Sequence, residues 1–171
     1  MNNIVATFEK VSFDQFLTDS LKTGFLKDND DMAYARKVWN DIKLPCRSTK
    51  FSGGYDFYFP FNYSYLKGTS VVVPTGIRVK MHDTGWLLMV APRSSLGFKY
   101  GMKFANIPPI IDADYYYAKN EGHIMLKFSA DENMCFQAGD RYAQGLIIPY
   151  GITTDDDADG ERDGGIGSTG K

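Results

Sequence analysis

The spacing of hydrophobic residues changes character along this chain. The stretch Ile4 to Val11 reads as a first strand, after which the spacing turns helical: Phe13, Phe16, Leu17 and Leu21 share one face. Ser12 and Gln15 form a capping-box pair at the start of that run, and Gly24 stands where a helix would stop. Beyond the polar turn Asp28-Asn29-Asp30-Asp31, the residues Met32, Ala35, Val38, Trp39 and Ile42 make a second apolar stripe, closed off by Pro45. A helical hairpin is therefore predicted over about 12–42. From Phe51 the pattern shortens into apolar or alternating runs separated by Gly, Pro, Asn and Asp. Ile77, Val79 and Met81 alternate with Arg78, Lys80 and His82; Trp86 to Ala91 is unbroken; Ile124, Leu126 and Phe128 alternate again; Tyr142 to Tyr150 is the last strong strand. The expected fold is mainly β, a sandwich or barrel, with a jelly roll as one way to limit open edges. Past Tyr150 the apolar pattern ends in an Asp/Gly-rich stretch. Residues 1–150 are expected to form the domain and 151–171 a flexible arm.

Composition narrows the classes of function. A chain of 171 residues, 43% of them hydrophobic, suits one domain with its own core. A net charge of −2 gives no basic surplus for nucleic-acid backbones, yet leaves room for a small anionic ligand. The longest strongly apolar run, Trp86 to Ala91, is far short of a membrane span, and the N-terminus carries no basic region followed by an apolar one. A cytoplasmic protein with no membrane partner is expected. Cys46 and Cys135 offer neither a disulfide framework nor metal-ligand spacing and read as buried or idle thiols; His82 and His123 are each isolated and read as surface strand positions.

Three segments carry candidate chemistry. Pro92-Arg93-Ser94-Ser95-Leu96-Gly97 follows the unbroken apolar run, so a strand's exit would hold a guanidinium and two hydroxyls, donors suited to phosphate oxygens; an ordinary turn is the plainer alternative. In Asn106 to Tyr115, the apolar Ile110 and Ile111 would desolvate Asp112, favouring a general base, and Tyr115 would offer a flat face to a sugar; the alternative is a polar hairpin end with outward-packed tyrosines. The terminus Gly164 to Lys171 combines glycines with Ser168, Thr169 and Lys171. That composition suits backbone closure over phosphates, or a solvated tail.

Ser52-Gly53-Gly54-Tyr55-Asp56, Pro92 to Gly97, Ile111-Asp112-Ala113-Asp114-Tyr115, Gly139-Asp140-Arg141-Tyr142-Ala143-Gln144 and Gly164 to Gly170 resemble, in order, the five motifs of trimeric deoxyuridine triphosphatases (dUTPases). The resemblance covers roughly residues 1–11 and 43–171 and leaves the helical segment outside it. It implies a dUTPase-like jelly-roll or β-barrel domain that hydrolyses dUTP to dUMP and pyrophosphate with Mg2+. It further implies a homotrimer in which each site draws on three subunits. Under the same resemblance Arg93, Ser94, Ser95 and Gln144 would bind the phosphates, and Asp56 would hold the hydrated metal through water. Asn106 would begin the hairpin reading the uracil edge, Asp112 would activate water, and Tyr115 would lie beneath deoxyribose. Arg162 with Gly165, Ile166, Gly167, Ser168 and Thr169 would clamp the γ-phosphate side. An arm of this length reaches ~70 Å at full extension, enough to cross to a neighbour.

The chain departs from the family pattern at Ile166, where an aromatic usually stacks on uracil. It departs again at Asp163, the single residue between Arg162 and the glycine pair, and at Tyr116 to Glu121, which looks inserted before Gly122. Two rival readings stand beside this one. A dCTP deaminase, alone or bifunctional, shares the fold, but Gly122-His123-Ile124-Met125-Leu126 leads to Lys127 where that chemistry needs a glutamate. A binding or regulatory module would take a protein partner through the helical segment, whose stripes otherwise simply cap the β-domain.

Overall fold

The computed structural model describes residues 4–160. Strand β1 (Ala6–Lys10) leads into helix α1 (Phe13–Lys22), and helix α2 (Met32–Asp41) follows. Ser12 starts α1 by accepting from the Gln15 backbone N–H at 3.1 Å, and the chain leaves it through Gly24 at φ +77°, a left-handed position that glycine takes without strain. The predicted capping box is only half local. Gln15 turns instead to Asp19 (2.8 Å), and the Ser12 backbone N–H donates to Glu121, 109 residues away, at 2.7 Å.

The remaining elements are short strands: β2 (Cys46–Arg47), β3 (Tyr55–Tyr58), β4 (Tyr63–Tyr65), β5 (Val71–Pro74), β6 (Ile77–Met81) and β7 (Trp86–Pro92). Helix α3 (Ser94–Tyr100) intervenes before β8 (Lys103–Phe104), β9 (Ile110–Ile111), β10 (Met125–Ser129), β11 (Met134–Phe136) and β12 (Arg141–Pro149). The described strands pair as β2-β3-β12-β7-β9, β5-β10-β8, β1-β6 and β11-β4, each pairing antiparallel. One aromatic cluster joins these sheets: Phe59 stacks on Phe136 at 4.3 Å and meets Tyr142 edge-on at 5.0 Å, and Phe128 stands edge-on to Phe136 at 5.9 Å. Such contacts, with the burial of Leu88, Val90, Ile124 and Leu126, supply the core.

The helical hairpin closes one side of that core. Phe16 is fully buried and stacks on Phe61 at 5.9 Å, and Ala35, Val38 and Ile42 are buried along the α2 stripe. Gly76, at φ +72°, sits in the left-handed region that favours glycine, with Ile42 Cδ1 close to where a side chain would begin. Met32, placed on the stripe by spacing, is exposed because it opens the helix before the stripe reaches the sheet. Both thiols are exposed, Cys46 beside the Tyr58 hydroxyl at 3.0 Å, so the buried alternative does not hold. Among the described residues no helix is long and apolar enough to cross a membrane.

His123 departs from the surface position that its sequence suggested. It is fully buried: Nε2 accepts from the Gly76 backbone N–H at 2.7 Å, and Nδ1 lies 2.6 Å from Asp19 Oδ2. Because a backbone N–H can only donate, Nε2 carries no proton and Nδ1–H donates to Asp19. Periodicity along the strand cannot reveal a partner that arrives from α1. His82 does sit at the surface, 2.7 Å from the Thr7 hydroxyl.

Candidate functional site

The five-stranded sheet places the first group of predicted residues. Gln144 on β12 pairs with Asp56 on β3 and with Ala91 on β7, so the three form one row, and Arg93 follows β7 two residues past Ala91. A bulge between Arg141 and Ala143 shifts the register of β12 and turns Arg141 toward the same row. Gly54 lies close beside it: a methyl there would approach Gln144 Oε1 to 3.0 Å.

Asp56 is the hub of this group. It is 5% exposed and accepts from Ser48 Oγ at 2.5 Å, from Arg93 Nη1, and from Arg141 Nη1 at 3.2 Å. Burial works against its charge, but the Ser48 hydroxyl and the Arg93 and Arg141 guanidiniums outweigh it and hold the carboxyl below the usual aspartate range. The charge fixes both arginines, and Arg93, Ser95, Arg141 and Asp140 line a cleft of about 340 Å³. Ser94 and Ser95 are exposed on the first turn of α3. Ser48 and Arg141 are not singled out from sequence. Arg141 lies inside the Gly139 to Gln144 motif, while Ser48 has no local signal and is found only through its contact with Asp56.

Because the folded carboxyl titrates below its unfolded value of about 3.9, its contribution is complete above that pH and is lost as pH falls through the folded value. Thermal melting of the nucleotide-free protein is expected to be flat from about pH 7 to 5 and to drop below about pH 4. Asp56→Asn should flatten that drop, and an unchanged acid limb in the variant would remove Asp56 from the explanation.

The second group lies elsewhere. Asp112 is half-buried, follows β9 and caps a 3-10 turn, Ala113–Tyr117. It lines a cleft of about 670 Å³ with Asp114, His82, Asp83, Tyr117 and Tyr150. Tyr115 does not line this cleft: its ring is 5% exposed and its hydroxyl donates to the His123 carbonyl at 2.9 Å, whereas Tyr117 is 76% exposed. Asn106 is exposed on a loop that passes from β8 in the three-stranded sheet to β9 in the five-stranded one. The expected hairpin is therefore not laddered, since Pro108 and Pro109 supply no N–H.

Strand register separates the two groups. Ile111 pairs with Leu88 on β7, and Arg93 lies five residues further toward the other end, about 16 Å at strand rise. Arg162, Gly165, Ile166, Gly167, Ser168 and Thr169 lie outside the described residues.

No group of three or more His, Cys, Asp or Glu side chains placed to hold a metal occurs among the described residues. Both Asp56 oxygens already accept hydrogen bonds from Ser48 or the arginines. The described side chains therefore form no cage for a cation, and Asp56 is engaged by Ser48, Arg93 and Arg141.

Comparison with known proteins decides the family. A family model described as dUTPase matches residues 40–170, and the deoxyuridine 5'-triphosphate nucleotidohydrolase of Lactococcus lactis is 36% identical over 134 residues, 75% of this chain and 89% of that protein. The chain belongs to the dUTPase family. The Hahella chejuensis dUTPase is 31% identical over 144 residues, covering 79% of this chain and 91% of its own length. Among solved structures, dUTPase from Streptococcus mutans superposes with a TM-score of 0.60 at 29% identity, over 85% of this chain and 97% of that one. A mutant dUTPase from phage phi11 of S. aureus, in which a structural Mg(II) ion is coordinated, shares the fold at 16% identity and a TM-score of 0.58, over 70% of this chain and 92% of its own. The enzyme is a dUTP diphosphatase, and both of its residue groups fall within the span that the dUTPase model matches.

Proposed function

We propose that the enzyme cleaves dUTP between the α- and β-phosphates, with Asp112 of one subunit serving the phosphates held by Arg93 of another in a homotrimer. The supporting observation is the separation of the two groups along β7. A base must lie within one hydrogen bond of the water it activates, and along β7 the position paired with Ile111, next to Asp112, is about 16 Å from Arg93. A second copy removes that gap, since closed symmetry repeats both half-sites around the axis.

In this mechanism Arg93 and Arg141 enter pre-aligned by Asp56, so little ordering is left to be done when phosphate binds. Ser94, Ser95 and Gln144 add donors along the chain of phosphates. Asp112 takes a proton from water positioned in line with the α-phosphorus, and the guanidiniums stabilise the charge that grows on the leaving pyrophosphate. Mg2+, when bound on the triphosphate, neutralises and orients it. The loop at Asn106 reads the uracil edge, and Tyr115 shapes the sugar side from beneath the surface. Arg162 and the segment Gly165 to Thr169 then close over the γ-phosphate.

Pyrophosphate release is expected with dUTP and at least about 10²-fold slower with dCTP, whose 4-amino group presents a donor where uracil presents an acceptor. Assays across dUTP, dCTP, dTTP and UTP check this. Equal turnover of all four would remove the uracil-edge assignment, and ammonia release from dCTP would bring back the deaminase.

A further inference from the structure

The helical hairpin is wired to the segment that carries Asp112. Successive backbone bonds run from Tyr115 N–H to the Asp112 carbonyl (3.2 Å), from Ala118 N–H to the Tyr115 carbonyl (3.0 Å), and from Glu121 N–H to the Ala118 carbonyl (2.8 Å). At the end of this ladder the Glu121 carboxylate accepts both the Ser12 backbone N–H at 2.7 Å and the Ser12 hydroxyl at 2.6 Å, at the start of α1. A second connection runs beside it. The Tyr115 hydroxyl donates to the His123 carbonyl at 2.9 Å, and the buried His123 ring is held between Asp19 of α1 and the Gly76 backbone N–H.

Glu121 occupies a left-handed backbone position at φ +57°, unfavourable for a residue with a side chain, and the adjoining Gly122 is at +69°. Asparagine or glycine would sit there with less strain, yet neither side chain could cap α1 with two carboxylate oxygens. Burial of the carboxyl works against its charge, but the two bonds from Ser12 overcome this and hold Glu121 below the usual glutamate range.

We propose that Ser12, Asp19, Glu121 and His123 are positioning residues for the reaction, anchoring the Asp112 turn to the helical hairpin so that groups remote from the nucleotide set the placement of the base. The inference rests on Asp112 serving as that base. Displacement of a catalytic group by about 1 Å can cost up to 10²-fold in rate, so a loosened ladder is read in turnover before it is read in binding.

The test uses the full chain with Glu121→Gly, which removes the carboxylate while easing the backbone, and with Glu121→Gln, which keeps an acceptor for the Ser12 N–H. Glu121→Gly is expected to lower kcat for dUTP about tenfold with KM changed less than about twofold, and Glu121→Gln to recover most of the loss. Amides of Tyr115 and Ala118 should exchange about tenfold faster in Glu121→Gly while those of β12 stay unchanged. Ser12→Ala, which removes one of the two bonds, should shift both readouts in the same direction by less. Unchanged kcat and unchanged exchange at Tyr115 and Ala118 would overturn the proposal, as would faster exchange throughout β12, which marks a general loss of stability. If the wild-type chain did not turn over dUTP, the reading of Asp112 would fall, and the exchange comparison alone would decide whether the hairpin holds the turn.

Discussion

Asp112→Asn is expected to lower kcat for dUTP by roughly 10²–10⁴, the range for loss of a general base, while the affinity for a non-hydrolysable dUTP analogue changes by less than about threefold. The substitution keeps the size and hydrogen-bonding reach of the side chain and removes its basicity. It also leaves the other group in place, because Arg93 and Arg141 are held by their hydrogen bonds to Asp56. The prediction thus separates chemistry from binding. Turnover near the wild-type value would show that water is activated elsewhere, and a parallel loss of affinity would show that Asp112 holds the nucleotide instead.

Much of this arrangement is legible in the sequence where a local rule controls it. The alternation of Ile77, Val79 and Met81 is the burial pattern of β6, and Ile124, Leu126 and Phe128 are each almost wholly buried. The capping serine and the glycine stop of α1 stand where their chemistry put them. What the sequence does not disclose is set by partners far away along the chain. His123 looks like a surface residue until Asp19 reaches it from α1, and Gln15 loses its capping role to Glu121. The resemblance places Asp56 beside a hydrated metal, and its three donors, which orient Arg93 and Arg141, are found only in the structure. Tyr115 reads as a flat face for a sugar, and in the structure its ring is buried with its hydroxyl donating to the His123 carbonyl. Family motifs locate the two groups of site residues, but only strand register shows that one chain keeps them apart.

That separation makes subunit mixing the most direct test. Asp112→Asn and Arg93→Ala chains, each nearly inactive alone, can be co-expressed with different tags and the mixed assemblies purified. Arg93→Ala does not strand the buried charge of Asp56, which keeps Ser48 and Arg141 as partners. If each site takes Asp112 from one subunit and Arg93 from another, a trimer holding both variants restores both groups in about one of its three sites, by the geometry of a closed three-fold assembly. Dilution and separate assays of the unmixed variants set the baseline. Recovery of about a third of wild-type dUTP turnover is the predicted result; mixed assemblies no more active than the parent variants would contradict the shared site.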